Sequence, residues 1–149
     1  MYRQILVPLD GSEFAAQVLP HVETLAHCTG AGIVLLRVTV FAYEGASPAA
    51  DMAGFIPVLR PEEREDVRKE AEDYLKQVSK DLRSRGLQVS TVVRDGNAGD
   101  VIVELAHGEE VDLIAMSTHG RTGLGRALFG SVAEQVLRGA GKPLLLIRP

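Results

Sequence analysis

The sequence predicts an α/β fold, an open five-stranded parallel sheet with helices on both faces. Three observations carry this. Five short apolar runs (Ile5 to Leu9, Ile33 to Val40, Leu87 to Val93, Val111 to Met116 and Leu144 to Ile147) are mostly continuous rather than alternating, as strands buried on both faces are. The segments between them mostly carry apolar residues at helical spacing. Strand and helix then alternate along the chain, which builds a parallel sheet through right-handed crossovers. The 149 residues amount to about one domain, read here as a single unit over 1–149. A chain of that length buries roughly two thirds of its unfolded surface, so its core needs no disulfide or zinc.

Each element has its own signal. The first strand leads into a helix that should start at Ser12, a good N-cap, and stop at Gly30. Ala15, Val18, Leu19, Val22, Leu25 and Ala26 form its apolar stripe. After the second strand, Phe41 to Arg60 is rich in Gly, Ala and Pro without a period, and reads as a long surface loop (41–60). The second helix opens at Pro61-Glu62-Glu63, where Pro fits the first position and acids suit the helix dipole. Val67, Ala71, Tyr74, Leu75, Val78 and Leu82 make its stripe, and Arg83 and Arg85 close it before Gly86. The third helix runs from about Ala98 to His107. The fourth starts at Gly130-Ser131, with Ser131 as N-cap, and carries Val132, Val136 and Leu137 inward. Pro143 opens the last strand.

Composition removes several function classes. With 16 Lys+Arg against 20 Asp+Glu the net charge is -4, a poor basis for gripping a phosphate backbone. Aromatics are 5% and Trp is absent, which argues against base-stacking platforms. No nucleic-acid partner is therefore expected. No apolar run approaches the roughly 18 residues that span a bilayer, and Met1-Tyr2-Arg3-Gln4 runs straight into the first strand without a signal-peptide pattern, so no membrane partner and a cytoplasmic location are expected. The single Cys28 can form neither an internal disulfide nor a zinc site and reads as a buried, inert thiol. His21, His27 and His107 read as helix-surface residues without metal-ligand spacing.

In open α/β sheets, ligands bind beyond the carboxyl ends of the strands. The segment after the fourth strand, Ser117 to Val132, holds four glycines and two arginines and runs into a helix. Glycines let backbone N–H groups approach a phosphate, a helix N-terminus adds free donors, and Arg121 and Arg126 can supply charge. The segment reads equally as a Gly-rich connection with solvated arginines. It is neither a Walker A loop, since its only nearby lysine is Lys142, nor a dinucleotide fingerprint, since Leu128 stands where the third glycine should be. His119 lies in this segment, where it can touch a ligand. Asp10, ending the first strand, can meet a ribose hydroxyl or a divalent ion, or can simply cap the turn with Ser12. Asp95, before Gly96-Asn97, reads as turn chemistry. No Gly-x-Ser-x-Gly elbow supports a nucleophile, and no catalytic residue is assigned.

The opening Ile5-Leu6-Val7-Pro8-Leu9-Asp10-Gly11-Ser12, the segment Ser117 to Val132 and the ending Pro143-Leu144-Leu145-Leu146-Ile147 resemble the universal stress protein family over nearly the whole chain. The nucleotide-binding subset of that family carries Gly-x2-Gly-x9-Gly-Ser/Thr. Here Gly120, the spacer Arg121 to Phe129, and Gly130-Ser131 match, while Ser117 stands where the motif has its first glycine. The resemblance implies a Rossmann-like sheet of the adenine nucleotide alpha hydrolase kind, with strand order 3-2-1-4-5. It implies that Pro8, Leu9 and Asp10 line adenine and ribose and that Val38 packs near adenine. Met116 and Ser117 would face the nucleotide, and Gly120, Gly130, Ser131 and Val132 would hold phosphates. It further implies a homodimer through the last strand, Leu144, Leu145, Leu146 and Ile147.

The expected function is that of an ATP-binding, dimeric stress-response sensor or regulator, with Mg2+ at Asp10 and slow or no hydrolysis. The alternatives are a module of the same family that binds no nucleotide and acts through protein contacts, and a nucleotidyl transferase or pyrophosphatase on the same fold. The last would need a further substrate domain.

Overall fold

Side chains that alternate between two apolar layers set the architecture. The computed structural model describes residues 1–40, 59–108, 110–118 and 130–148. The expected 41–60 loop, apart from Leu59 and Arg60, lies outside them, as do His119, Gly120, Arg121 and Arg126. In chain order the elements are β1 (Gln4–Pro8), α1 (Glu13–Ala16), α2 (Leu19–Thr29), β2 (Gly32–Thr39), α3 (Pro61–Ser84), β3 (Val89–Asp95), α4 (Ala98–Gly108), β4 (Leu113–Ser117), α5 (Ser131–Gly139) and β5 (Leu144–Ile147). The strands form one sheet, parallel at every pairing, in the order β3-β2-β1-β4-β5. Ile5, Val7, Ile33, Leu35 and Ala115 point to one face, against Val22 and Ala26 of α2 and Ala71, Leu75 and Leu82 of α3. Leu6, Leu36, Ile114 and Met116 point to the other, against Ile102, Leu105, Ala133 and Val136 of α4 and α5. The three central strands are thus covered on both sides, which is why their sequences are continuous apolar runs.

Four expectations need correction. The helix expected from Ser12 to Gly30 is two helices, broken at Gln17 and Val18. Pro20 causes the break: it has no N–H for the Ala16 carbonyl and its ring would crowd that carbonyl, so it sits in the first turn of a new helix. Cys28 is exposed rather than buried. It lies two residues past Ala26, about 200° round α2 from the buried stripe. Leu137, expected inward, is 53% exposed, because Ala133, Val136 and Ala140 take the sheet-facing side of α5. The N-cap of α5 is Gly130, and Ser131 is its first helical residue.

The two edges of the sheet differ. Ile33 N–H bonds to Gln88 O and Gly96 N–H to Thr39 O, so the even residues of β3 bond to β2 and the odd residues face outward. Two of those outward carbonyls are already occupied. Arg83 donates from Nε to Val89 O at 3.1 Å and also from Nη2, and Arg94 donates from Nη1 to Val93 O at 3.2 Å. On β5, Pro143 O and Ile147 O accept from Ile114 and Thr118, so Leu144 and Leu146 present their N–H and C=O outward. No described side chain caps those groups.

The amino-terminal ends of β1 and β4 are fastened by Asp112. Its Oδ2 accepts from Arg3 N at 2.6 Å and Gln4 N at 3.0 Å, locking the starts of β1 and β4 together. These two amides hold the Asp112 carboxyl below the usual carboxylate range. A lowered folded-state pKa contributes stability above the unfolded value of about 3.9, and that contribution is lost as pH falls through the folded value. Asp112→Asn should therefore melt at a lower temperature than the wild type at pH 6, with the gap closing as the pH falls below the unfolded value of about 3.9 and through the lower folded one. Circular-dichroism melts across that range test this. A gap independent of pH would place the effect elsewhere.

Candidate functional site

The strand order reverses between β1 and β4, and a cavity of about 170 Å³ opens there at their carboxyl ends. Its walls come from both sides of the reversal. Pro8 ends β1 and Leu9 and Asp10 follow it, Leu36 and Val38 come from β2, Met116 and Ser117 end β4, and Val132 stands in the first turn of α5. Seven of the twelve residues expected at a site (Pro8, Leu9, Asp10, Val38, Met116, Ser117 and Val132) therefore line one cavity. Gly130 and Ser131 adjoin it through Val132. His119, Gly120 and Arg121 lie outside the described residues. The sequence reading missed Phe14, Ala15, Leu36, Ala98 and Ile102, which also line the cavity. Ala98 and Ile102 are one turn apart on α4, a placement that follows from the crossover after β3 rather than from any motif.

At the mouth, Asp10 caps a turn. Its Oδ1 accepts from Ser12 N at 2.9 Å and Ser12 Oγ at 2.5 Å, and Ser12 Oγ in turn accepts from Ala15 N at 3.0 Å. The capping reading of Asp10 is thus realised on one oxygen, while Oδ2 has no hydrogen bond among the described residues. Burial pushes the Asp10 carboxyl up, but the Ser12 hydroxyl and amide and the Arg37 guanidinium outweigh it and hold the group below the usual range. The group stays ionised and is a weak base.

Arg37 was hidden inside an apolar run. Its Nε and Nη1 are buried without a hydrogen-bond acceptor among the described residues, and its guanidinium lies 5.9 Å from the Tyr74 ring centroid. Burial pushes the Tyr74 phenol up against the opposing pull of Arg37. The arginine also explains Gly11, which has φ +83°, and whose Cβ would stand 2.8 Å from Arg37 Nη1. The signal available in sequence was a lone cation two residues before the end of a buried strand. Asp95 is likewise more than turn chemistry. It ends β3, accepts from the buried Thr39 hydroxyl, and meets Arg68 Nη1 at 3.3 Å.

The opposite wall is the start of α5. Thr118 Oγ1 accepts from Gly130 N at 3.4 Å, so the end of β4 and the start of α5 are held together. Gly130 offers no side chain to cap the helix, in contrast to Ser12 on α1, and among the described residues the first-turn amides of α5 have no side-chain partner. Gly130 has φ -65° and ψ 159°, which any residue adopts, and a Cβ there would meet nothing within 4 Å among the described residues. Neither its conformation nor its packing against the described residues requires glycine at this position. Ser117, the motif's departure, donates from Oγ to Ala15 O at 3.3 Å and ties β4 to α1.

The universal stress protein family model matches residues 1–148. Universal stress protein MJ0531 of Methanocaldococcus jannaschii is 31% identical over 148 residues, covering 99% of this chain and 83% of that protein. The solved structure of MJ0577, from the same organism, aligns with TM-score 0.78 at 30% identity, covering 100% of this chain and 97% of that one. A family protein from Arabidopsis thaliana, solved with AMP bound, aligns with TM-score 0.65 at 17% identity, covering 98% of this chain and 91% of that one, and so speaks for the fold alone. With its sheet order, its cavity at the strand reversal and these matches along its length, the chain belongs to the universal stress protein family.

Proposed function

We propose that the chain binds ATP in the cavity between β1, β4 and the start of α5, and acts as a dimeric, cytoplasmic sensor or regulator of stress. The observation that carries this is one apolar cavity bounded on one side by a carboxylate and on the other by uncapped helix amides. At about 170 Å³ it is smaller than the roughly 300 Å³ at which pockets begin to engulf a drug-sized ligand. It therefore takes the base and leaves the phosphates outside. Adenine packs among Pro8, Leu9, Val38 and Met116, with Ser117 beside it, and the ribose hydroxyls meet the free oxygen of Asp10. The phosphates rest on the amides of Ser131 and Val132 and on the Ser131 hydroxyl, with Gly130 leaving them room. Gly120, His119 and Arg121 add contacts from the motif.

Among the described residues no group of three or more His, Cys, Asp or Glu can hold a metal. The residues present fit Mg2+ only as an ion held mainly by phosphates and water, with Asp10 as a single protein ligand. Asp10 is also the one carboxylate among the described lining residues, and a carboxylate held below its usual range is a weak base for activating water. Turnover is slow or absent, so occupancy reports the nucleotide level. The dimer forms through β5, the edge whose outward amides and carbonyls are uncapped. Ser117 favours a second reading, a module that binds no nucleotide, because its hydroxyl is already engaged with α1.

Denaturing the purified protein and running the supernatant on ion exchange should release an adenine nucleotide. ATP should also raise the melting temperature of the stripped protein, since saturation at a hundred times Kd stabilises by about 2.7 kcal/mol. No released nucleotide together with no calorimetric binding would leave the second reading standing.

A further inference from the structure

The outer edge of β3, two strands from β1, carries a second groove of about 440 Å³. Its charge opposes that of the whole chain. Arg68, Lys76, Arg83 and Arg94 line it against a single lining acid, Glu72, in a protein of net charge -4. Arg68 is paired with Glu72 at 3.4 Å and with Asp95 at 3.3 Å, so the excess falls on Lys76, Arg83 and Arg94. Among the described residues Lys76 forms no ion pair, and Arg83 and Arg94 each keep spare N–H groups beyond those on the backbone.

The backbone adds to the imbalance. With Val89 O and Val93 O held by Arg83 and Arg94, the outward groups of the edge left open by the described residues beside the groove are the N–H of Thr91, the C=O of Thr91 and the N–H of Val93. Donors outnumber acceptors, and cations flank them. From Arg68 to Arg83 the groove follows α3 for about 22 Å at helical rise, longer than one small anion needs.

We propose that this groove docks an extended acidic segment of a partner protein. Its backbone pairs with the N–H and C=O of Thr91, and its carboxylates meet Lys76, Arg83 and Arg94. The free Thr91 carbonyl selects a peptide over an inorganic polyanion, because only the peptide brings an N–H to it. Arginines on the neighbouring carbonyls confine strand addition to this short stretch, which keeps a second sheet edge from pairing along its length.

The probe is a fluorescein-labelled eight-residue peptide of alternating Thr and Glu, with its Thr/Gln analogue, titrated by anisotropy against the full chain. The acidic peptide should bind in 50 mM salt, weaken about tenfold or more in 500 mM salt, and shift the Thr91 and Val93 amides in a nitrogen–proton correlation spectrum. The Gln analogue should bind at least tenfold more weakly. Lys76→Glu and Arg94→Glu, at exposed positions of α3 and β3, should each weaken the acidic peptide with an unchanged far-ultraviolet spectrum. No binding, equal binding of the Gln analogue, or binding without a Thr91 shift would each overturn the proposal. Inorganic polyphosphate binding more tightly than the peptide, with the same residues shifted, would also overturn it.

Discussion

Gly130→Val combined with Ser131→Ala should lower ATP affinity at least tenfold, about 1.4 kcal/mol, and leave the melting temperature of the nucleotide-free protein nearly unchanged. The separation follows from the local geometry. Gly130 has the extended backbone at φ -65° and ψ 159°, which Val adopts readily, and a Cβ there meets nothing within 4 Å among the described residues. Ser131 is the first helical residue of α5, and its hydroxyl makes no hydrogen bond to a described residue, so Ala costs the folded chain little there. A bound phosphate experiences both changes. The Val methyls occupy the space over the first-turn amides, and the Ala removes a hydroxyl donor. Hydrogen bonds to a charged acceptor contribute about 1.5–3 kcal/mol each, so losing even one exceeds the tenfold threshold. Calorimetry with ATP, paired with melts of the stripped protein, reads both quantities. Unchanged affinity in the double variant would remove α5 from the site and with it the phosphate part of the proposal.

The same local chemistry shows what a sequence reveals and what it conceals. The five strands were legible because each is a short apolar run, and burial on both faces erases the alternation that would otherwise blur them. Their order came from family resemblance, since apolar runs do not say which strand lies beside which. The break at Gln17 and Val18 was missed because Pro20 falls among residues with good helical spacing. Periodicity records which face is apolar and does not register a missing N–H. Ser131 was placed one position early because Ser is the stronger N-cap former, whereas here the glycine occupies the cap and leaves the amides open. In the site, Asp10 could be named because it stands at a strand end in sequence, and Pro8, Leu9 and Ser117 because the family resemblance assigns them. Ala98 and Ile102 could not, because only the crossover from β3 to α4 carries them over β1 and β4. Arg37 was lost for a related reason. Its charge sits in a buried strand, and what it does depends on Tyr74 and Gly11, 37 and 26 residues away in sequence.

Leu146→Pro should turn a dimer into a monomer, raising the dissociation constant at least a hundredfold, about 2.7 kcal/mol, while Leu145→Pro should instead unfold or destabilise the subunit. The opposite outcomes rest on which way each amide points. Ile114 N–H bonds to Pro143 O and Thr118 N–H to Ile147 O, so in this parallel pairing the Leu145 amide serves β4 and the Leu146 amide faces out. Proline at 146 removes a donor that the subunit does not use, and an edge strand tolerates proline there. A partner strand would lose both that donor and a flat approach. Proline at 145 removes a ladder bond inside the sheet. Leu146 also packs against the α4 and α5 layer, so Leu146→Ala is the control for lost side-chain burial, and it should remain dimeric with a lower melting temperature. The choice of edge follows from the arginines. Arg83 and Arg94 occupy two outward carbonyls of β3, whereas β5 presents Leu144 and Leu146 uncapped beside half-buried leucines. Sedimentation of the three variants beside the wild type decides it. A wild type that sediments as a monomer, or a Leu146→Pro variant that remains a dimer, would move the interface away from β5 and leave that apolar edge without an explanation.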